Sequence, residues 1–242
     1  MHLFVLLGLA AAINANTVRH SQIRGKAAQS FVKALDFKRR LRVCNAYPYA
    51  AALDVSKSSE QLTVDEPMSY KTCRDFEVEL APGDKLIFKV GEANAGTFSV
   101  SDMPNNDAVL MLIISRHDTL STAVSFESHV YANLLNAQVA VVDTYKGTEK
   151  ASLKIQDHED AKTSREEELR FDSVVAVNPG KYDCALVSQA GEVVANEQLV
   201  ALNRESYIVM RVGVKSQQGP SYPQELVVYP RSEERRVGKE CR

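Results

Sequence analysis

His117, Asp118 and Ser121 are the residues most nearly arranged for nucleophilic chemistry, with Glu127 and His129 a few positions on. A hydrolase or acyltransferase would need a serine oxygen within hydrogen-bond reach of an imidazole that a carboxylate orients. The set follows a long apolar run, where Asp and Ser serve backbone turns without any catalysis. No G-x-S-x-G elbow surrounds a serine. No catalytic residues are therefore assigned, and the chain is not read as an enzyme. Asp157-His158-Glu159-Asp160 could bind a metal. Hard cations, however, take ligands from spaced positions of a loop, so the stretch reads as a solvated acidic loop. Asp102 to Asp107 (DMPNND) reads as a Pro/Asn turn, with a carbohydrate or calcium role as its alternative. Neither G-x-x-x-x-G-K-[ST] nor G-x-G-x-x-G occurs, so no cofactor is expected, and there is no N-x-[ST] acceptor. With no Trp, a sugar-stacking platform would have to be built from Tyr. Tyr47, Tyr49 and Tyr70 are the nearest set, against ordinary packing at sheet ends.

The elements around these residues are short. LIFKV (86–90), VLMLIIS (109–115), VAVVD (139–143), SVVAV (173–177), CALVS (184–188), YIVMRV (207–212) and ELVVY (225–229) are rich in β-branched residues and bounded by Pro, Gly, Asn and Asp. That spacing predicts antiparallel β-sandwiches of immunoglobulin-like size. A weak helical period appears only at Ser164–Leu169.

The body also repeats. Pro82-Gly83 in VELAPGDKLIFKV answers Pro179-Gly180 in VVAVNPGKYDCALV, and LMLI (110–113) answers YIVM (207–210) at the same offset. VCNAY (43–47) answers VVDTY (141–145) with one residue of slippage. A period this long is a duplicated domain rather than a solenoid unit. The expected organisation is a signal peptide at 1–15, a basic leader at 16–40, sandwiches at 41–136 and 137–230, and a foreign tail at 231–242. Each Pro-Gly is expected to make a tight turn, Pro presetting φ and Gly supplying positive φ.

Cys44 and Cys73 lie in the first copy, and their counterparts, Val142 and about Arg170, are both not cysteine. Joint loss is what a bonded pair predicts, so a Cys44–Cys73 disulfide is expected. Cys184 matches an apolar strand position and reads as a core residue.

The ends differ from the body. Leu3 to Ile13 is uncharged and too short to span a bilayer, with small residues at Ala10, Ala12 and Ala15 where cleavage would fall, as in a secretory signal. Thr17 to Arg42 carries eight Lys/Arg, Arg42 among them, against Asp36. It reads as a solvated leader or short packing helix, a second sorting element, or a contact to an anionic surface. Arg231 to Arg242 (RSEERRVGKECR) resembles the translation of a widely used sequencing-library adapter. Taking its five basic and three acidic residues from totals of 29 and 31 leaves a net charge of −4. No positive field remains to suggest a nucleic-acid partner.

Leu41 to Val55 (LRVCNAYPYAAALDV) resembles a family of secreted β-sandwich domains of unknown function that open V-R-V-x-N-A-x-P-x-A-x-x-x-D-V. Asn45, Ala46, Pro48 and Asp54 match; Cys44 and Tyr47 depart. The two-domain layout and VAVNPGKYDCALV (175–187) are similar to the periplasmic F subunits of bacterial alginate O-acetylation, tandem β-sandwich adaptors. Neither resemblance implies catalytic residues. The expectation is a secreted or extracytoplasmic adaptor with a protein or polysaccharide partner and no transmembrane segment. The alternatives are a carbohydrate-binding module or, further off, a hydrolase or acyltransferase.

Overall fold

All seven apolar runs are strands in the computed structural model, which describes residues 37–132, 135–159 and 165–231. The expected signal peptide, most of the leader, Asp160 and the tail beyond Arg231 lie outside the described residues. The first half contains β1 (Arg39–Ala46), β2 (Leu53–Lys57), β3 (Glu60–Gln61), β4 (Cys73–Glu77), β5 (Lys85–Val90), β6 (Ala93–Ser99), β7 (Ala108–Arg116) and β8 (Val124–Ala132). The second contains β9 (Ala137–Asp143), β10 (Ala151–Asp157), β11 (Glu167–Leu169), β12 (Ser173–Val177), β13 (Gly180–Ser188), β14 (Val193–Ala201), β15 (Ser206–Val214) and β16 (Tyr222–Tyr229).

The halves repeat strand for strand. An inner sheet ordered β4-β1-β7-β8 packs on an outer sheet ordered β3-β2-β5-β6; β12-β9-β15-β16 and β11-β10-β13-β14 reproduce them. The duplication holds at register level: Leu41 pairs with Leu110 in the first copy and Val139 with Tyr207 in the second.

The ladders are not all antiparallel. β1 runs parallel to β7, and β9 parallel to β15. A parallel pair needs a long crossover, and here it runs through the strands of the outer sheet and the inner edge strand β4 or β12. Gly83 (φ +90) turns the chain between β4 and β5, but Gly180 opens β13 without a positive φ, so only the first Pro-Gly is a turn of the expected kind. Within the apparent helical period at 164–169, Glu167 to Leu169 form the strand β11 and pair with β10. The first strand starts inside the expected leader, since Arg39 and Arg40 already pair with Ala108 and Val109.

Burial explains why the long apolar runs lack alternation. Every residue of β7 and β15 is buried, as expected for strands covered on both faces. One core fills the first sandwich around Leu53, Phe88 and Leu112, and another fills the second around Leu153, Leu199 and Tyr207. A third core joins the two inner sheets: Cys44, Val109, Met111, Ile113 and Tyr131 from one half meet Ala140, Val142, Ile208, Met210 and Val227 from the other. The central strands of the inner sheets are thus covered on both faces, and from Phe37 onward both sandwiches belong to one compact unit.

Candidate functional site

The His117 cluster is a turn. Asp118 accepts from the amides of Leu120 (2.8 Å) and Ser121 (2.6 Å), from the Ser121 hydroxyl (3.1 Å), and faces His117 Nδ1 at 3.1 Å. The Ser121 amide, then His117, hold its carboxyl well below the usual carboxylate range. Ser121 Oγ is turned to the carboxylate and to the amide of Ala123, not to an imidazole. The main-chain carbonyl of Ser121 accepts from the buried Arg116 guanidinium.

The acidic stretch is dispersed. His158 pairs with Asp183 at 2.8 Å, and Glu159 lies 3.6 Å from Lys181. Among the described residues no group of three His, Cys, Asp or Glu is placed to hold a metal ion.

The tyrosines do not form one platform. Tyr47 is buried and donates to the Thr122 carbonyl at 2.7 Å. Tyr49 is 47% exposed, its ring 6.1 Å from that of Tyr47. Tyr70 belongs to the seam between halves, edge-on to Tyr222 at 5.4 Å. Cys44 and Cys73 form a disulfide across β1 and β4. Cys184 is a buried free thiol whose pKa burial pushes up to about 12.

The polar groups that converge do so at the seam, and sequence reasoning missed them. Arg42, counted by composition with the basic Thr17–Arg42 segment, is 1% exposed. Its fork meets Asp75 at 2.7 and 2.8 Å, its third nitrogen donates to the Ser206 carbonyl at 2.6 Å, and its plane lies 4.9 Å from the Tyr229 ring. A planar fork of five donors suits this placement. Tyr131 donates to the Tyr207 carbonyl at 2.8 Å, and the Gln217 amide to the Thr119 carbonyl at 2.9 Å. Lys71 pairs with Glu225 at 2.8 Å. The available signal was the alternation in LRVC: a charged residue between apolar neighbours in a strand covered on both faces must be paired inward.

The sheet edges complete the surface. β16 is flanked by β14, and β8 by β6, so those edges meet at corners. β4 and β12 each end an inner sheet. On β4, Arg74 reaches Glu66, Asp75 binds Arg42, and Cys73 is bonded. β12 is SVVAV, with Val174 39% exposed and no charge. Among the described residues no main-chain group outside β9 is hydrogen-bonded to it.

No protein-family model matches this chain, and no curated protein does. Among solved structures it is similar to CBMbc, a family CBM26 module of Eubacterium rectale Amy13K crystallised with maltoheptaose. The TM-score is 0.26 at 9% identity, over 80% of this chain and 97% of that one. So slight a likeness leaves the functional reading to the residues themselves.

Proposed function

We propose that this chain is a non-catalytic scaffold of an extracytoplasmic assembly, holding a protein or polysaccharide partner on its paired sandwiches. The observation that carries the reading is the third core, with Arg42 and Tyr131 bonded across it. It joins two sandwiches into one compact unit, which would hold outer sheets and free edges at fixed spacing. Rigid presentation is what a scaffold needs, because ordering costs are met before the partner arrives. The disulfide supports an oxidising compartment, and among the described residues no helix is long and apolar enough to cross a membrane. A protein partner is favoured over a glycan, since Tyr49 is the one exposed ring of the expected sugar platform.

The test is crosslinking in the native cell, recovery of the tagged full-length chain, and identification of its covalent partners. A reproducible partner whose crosslinks map to the outer sheets or free edges is expected. Recovery of the chain alone, together with an empty glycan array, would overturn the proposal.

A further inference from the structure

We infer that β12 is the pairing edge of a homodimer, in which two copies join antiparallel about a two-fold axis at Val175 and their inner sheets become one eight-stranded sheet. β12 ends its sheet, is uncharged, and leaves one row of amides and carbonyls without a strand beside it among the described residues. Edge strands of natural proteins are normally blunted by charge, proline, a bulge or a cover, because such a row templates pairing with another chain. β12 has none of these inside its five residues, and its register with β9 runs without a bulge.

Charge selects the occupant. Antiparallel pairing about Val175 sets Val174 opposite Ala176 of the second copy and Ser173 opposite its Val177. One step beyond the ladder it sets Asp172 opposite Asn178. No like charges meet. The same operation on β4, about Asp75, would set Asp75 against itself, and on β11, about Glu168, would set Glu168 against itself. Like charges directly opposite one another destabilise a ladder. Among these three edges β12 alone is complementary to its own copy, and a two-fold interface must be self-complementary. A ladder this short gives a small interface, so the dimer belongs to the weak class, with dissociation on the order of micromolar or above.

The experiment is sedimentation velocity on the full chain over a concentration series, with Val174→Lys and Ala176→Lys singly and together. Both residues are exposed, on the sheet face that Val174 shares with Ala140, and circular dichroism melts of each variant check that its fold is kept. Val193→Lys, at a more exposed valine on β14, is the control. The expected result is a concentration-dependent dimer that Val193→Lys leaves unchanged and that the double variant weakens by more than about tenfold, lysine facing lysine twice. A chain that stays monomeric up to roughly millimolar concentration, or a dimer indifferent to the double variant, would overturn it. A monomer here would leave the scaffold proposal standing, because that is read from crosslinked partners in the cell.

Discussion

β4 and β12 occupy the same place in the two copies of the fold, and the same pair of positions does opposite work in each. In the first copy Arg42 lies opposite Asp75 and the two are bonded; in the second, Ala140 lies opposite Val174. Two positions along, Cys44 and Cys73 are bonded in the first copy. With Ser173 opposite Val141, the counterparts in the second are Val142 and Asp172, two residues from the Arg170 expected. The first edge is pinned by an ion pair and a covalent bond because its strand serves the seam. The second carries neither and ends in exposed valine. Duplication supplied two equal edges, and substitution made one structural and the other available.

The largest effect expected from breaking this contrast is at Arg42. Arg42→Ala leaves Asp75 only the more distant Arg40, at 3.6 Å, and strands the Ser206 carbonyl, and full-chain denaturation should show a loss of about 3 kcal/mol, at the low end of the usual cost of breaking a buried pair. Arg42→Lys should recover only part of it, since a point charge cannot replace the fork. A loss under about 1 kcal/mol, within the range of a surface pair, would mean that the seam does not depend on Arg42.

Next comes the disulfide. Cys44→Ala with Cys73→Ala should cost about 2–4 kcal/mol on the same assay, mainly through freedom returned to the unfolded chain. Tyr131→Phe removes the bond to the Tyr207 carbonyl and should cost about 1 kcal/mol without changing the fold.

The halves should also respond to acid in opposite senses. Glu127, on β8, has its pKa raised by burial and by Asp172. A raised carboxylate in the folded state opposes folding as pH rises through its titration. Glu127→Gln should therefore stabilise the chain at neutral pH, with the gain vanishing once pH falls below the ordinary 4.5. Glu149, in the second half, is lowered to about 2, first by the bond from Lys215 and then by Tyr145. Its contribution is present above 4.5 and lost as pH falls toward 2, and Lys215→Met should reduce that loss. Melting curves at stepped pH would check both, and equal acid profiles for wild type and Glu127→Gln would remove the first. The smallest effect belongs to Lys71→Ala: the pair with Glu225 is open to solvent and should contribute under about 0.5 kcal/mol.

Much of the fold was legible because local chemistry and global arrangement agree. The repeated NAY and DTY strings mark the same device: Asn45 Oδ1 accepts from the Tyr47 amide, and Asp143 Oδ1 from the Tyr145 amide, each at 3.0 Å. The paired loss of cysteines pointed to the Cys44–Cys73 bond through the repeat alone. What escaped depends on contacts far apart in sequence. Arg42 and Ser206 are separated by 164 positions, and no local period announces their meeting. The parallel pairs escaped for the same reason, since an unbroken apolar run states that both faces are covered but not in which direction its neighbour runs. For Tyr47 and Tyr70 the sequence left packing and a ligand-facing platform side by side, because composition cannot tell a sheet end from a seam.

The third core has a consequence for how such a protein can be inherited. Either half, cut free at the short link between β8 and β9, would carry a sheet face holding Val109, Met111 and Ile113, or Ile208, Met210 and Val212, bare to water. A gene fragment encoding one copy would therefore yield an insoluble product, and recombination could move this ancestral doubling into new proteins only as an undivided cassette.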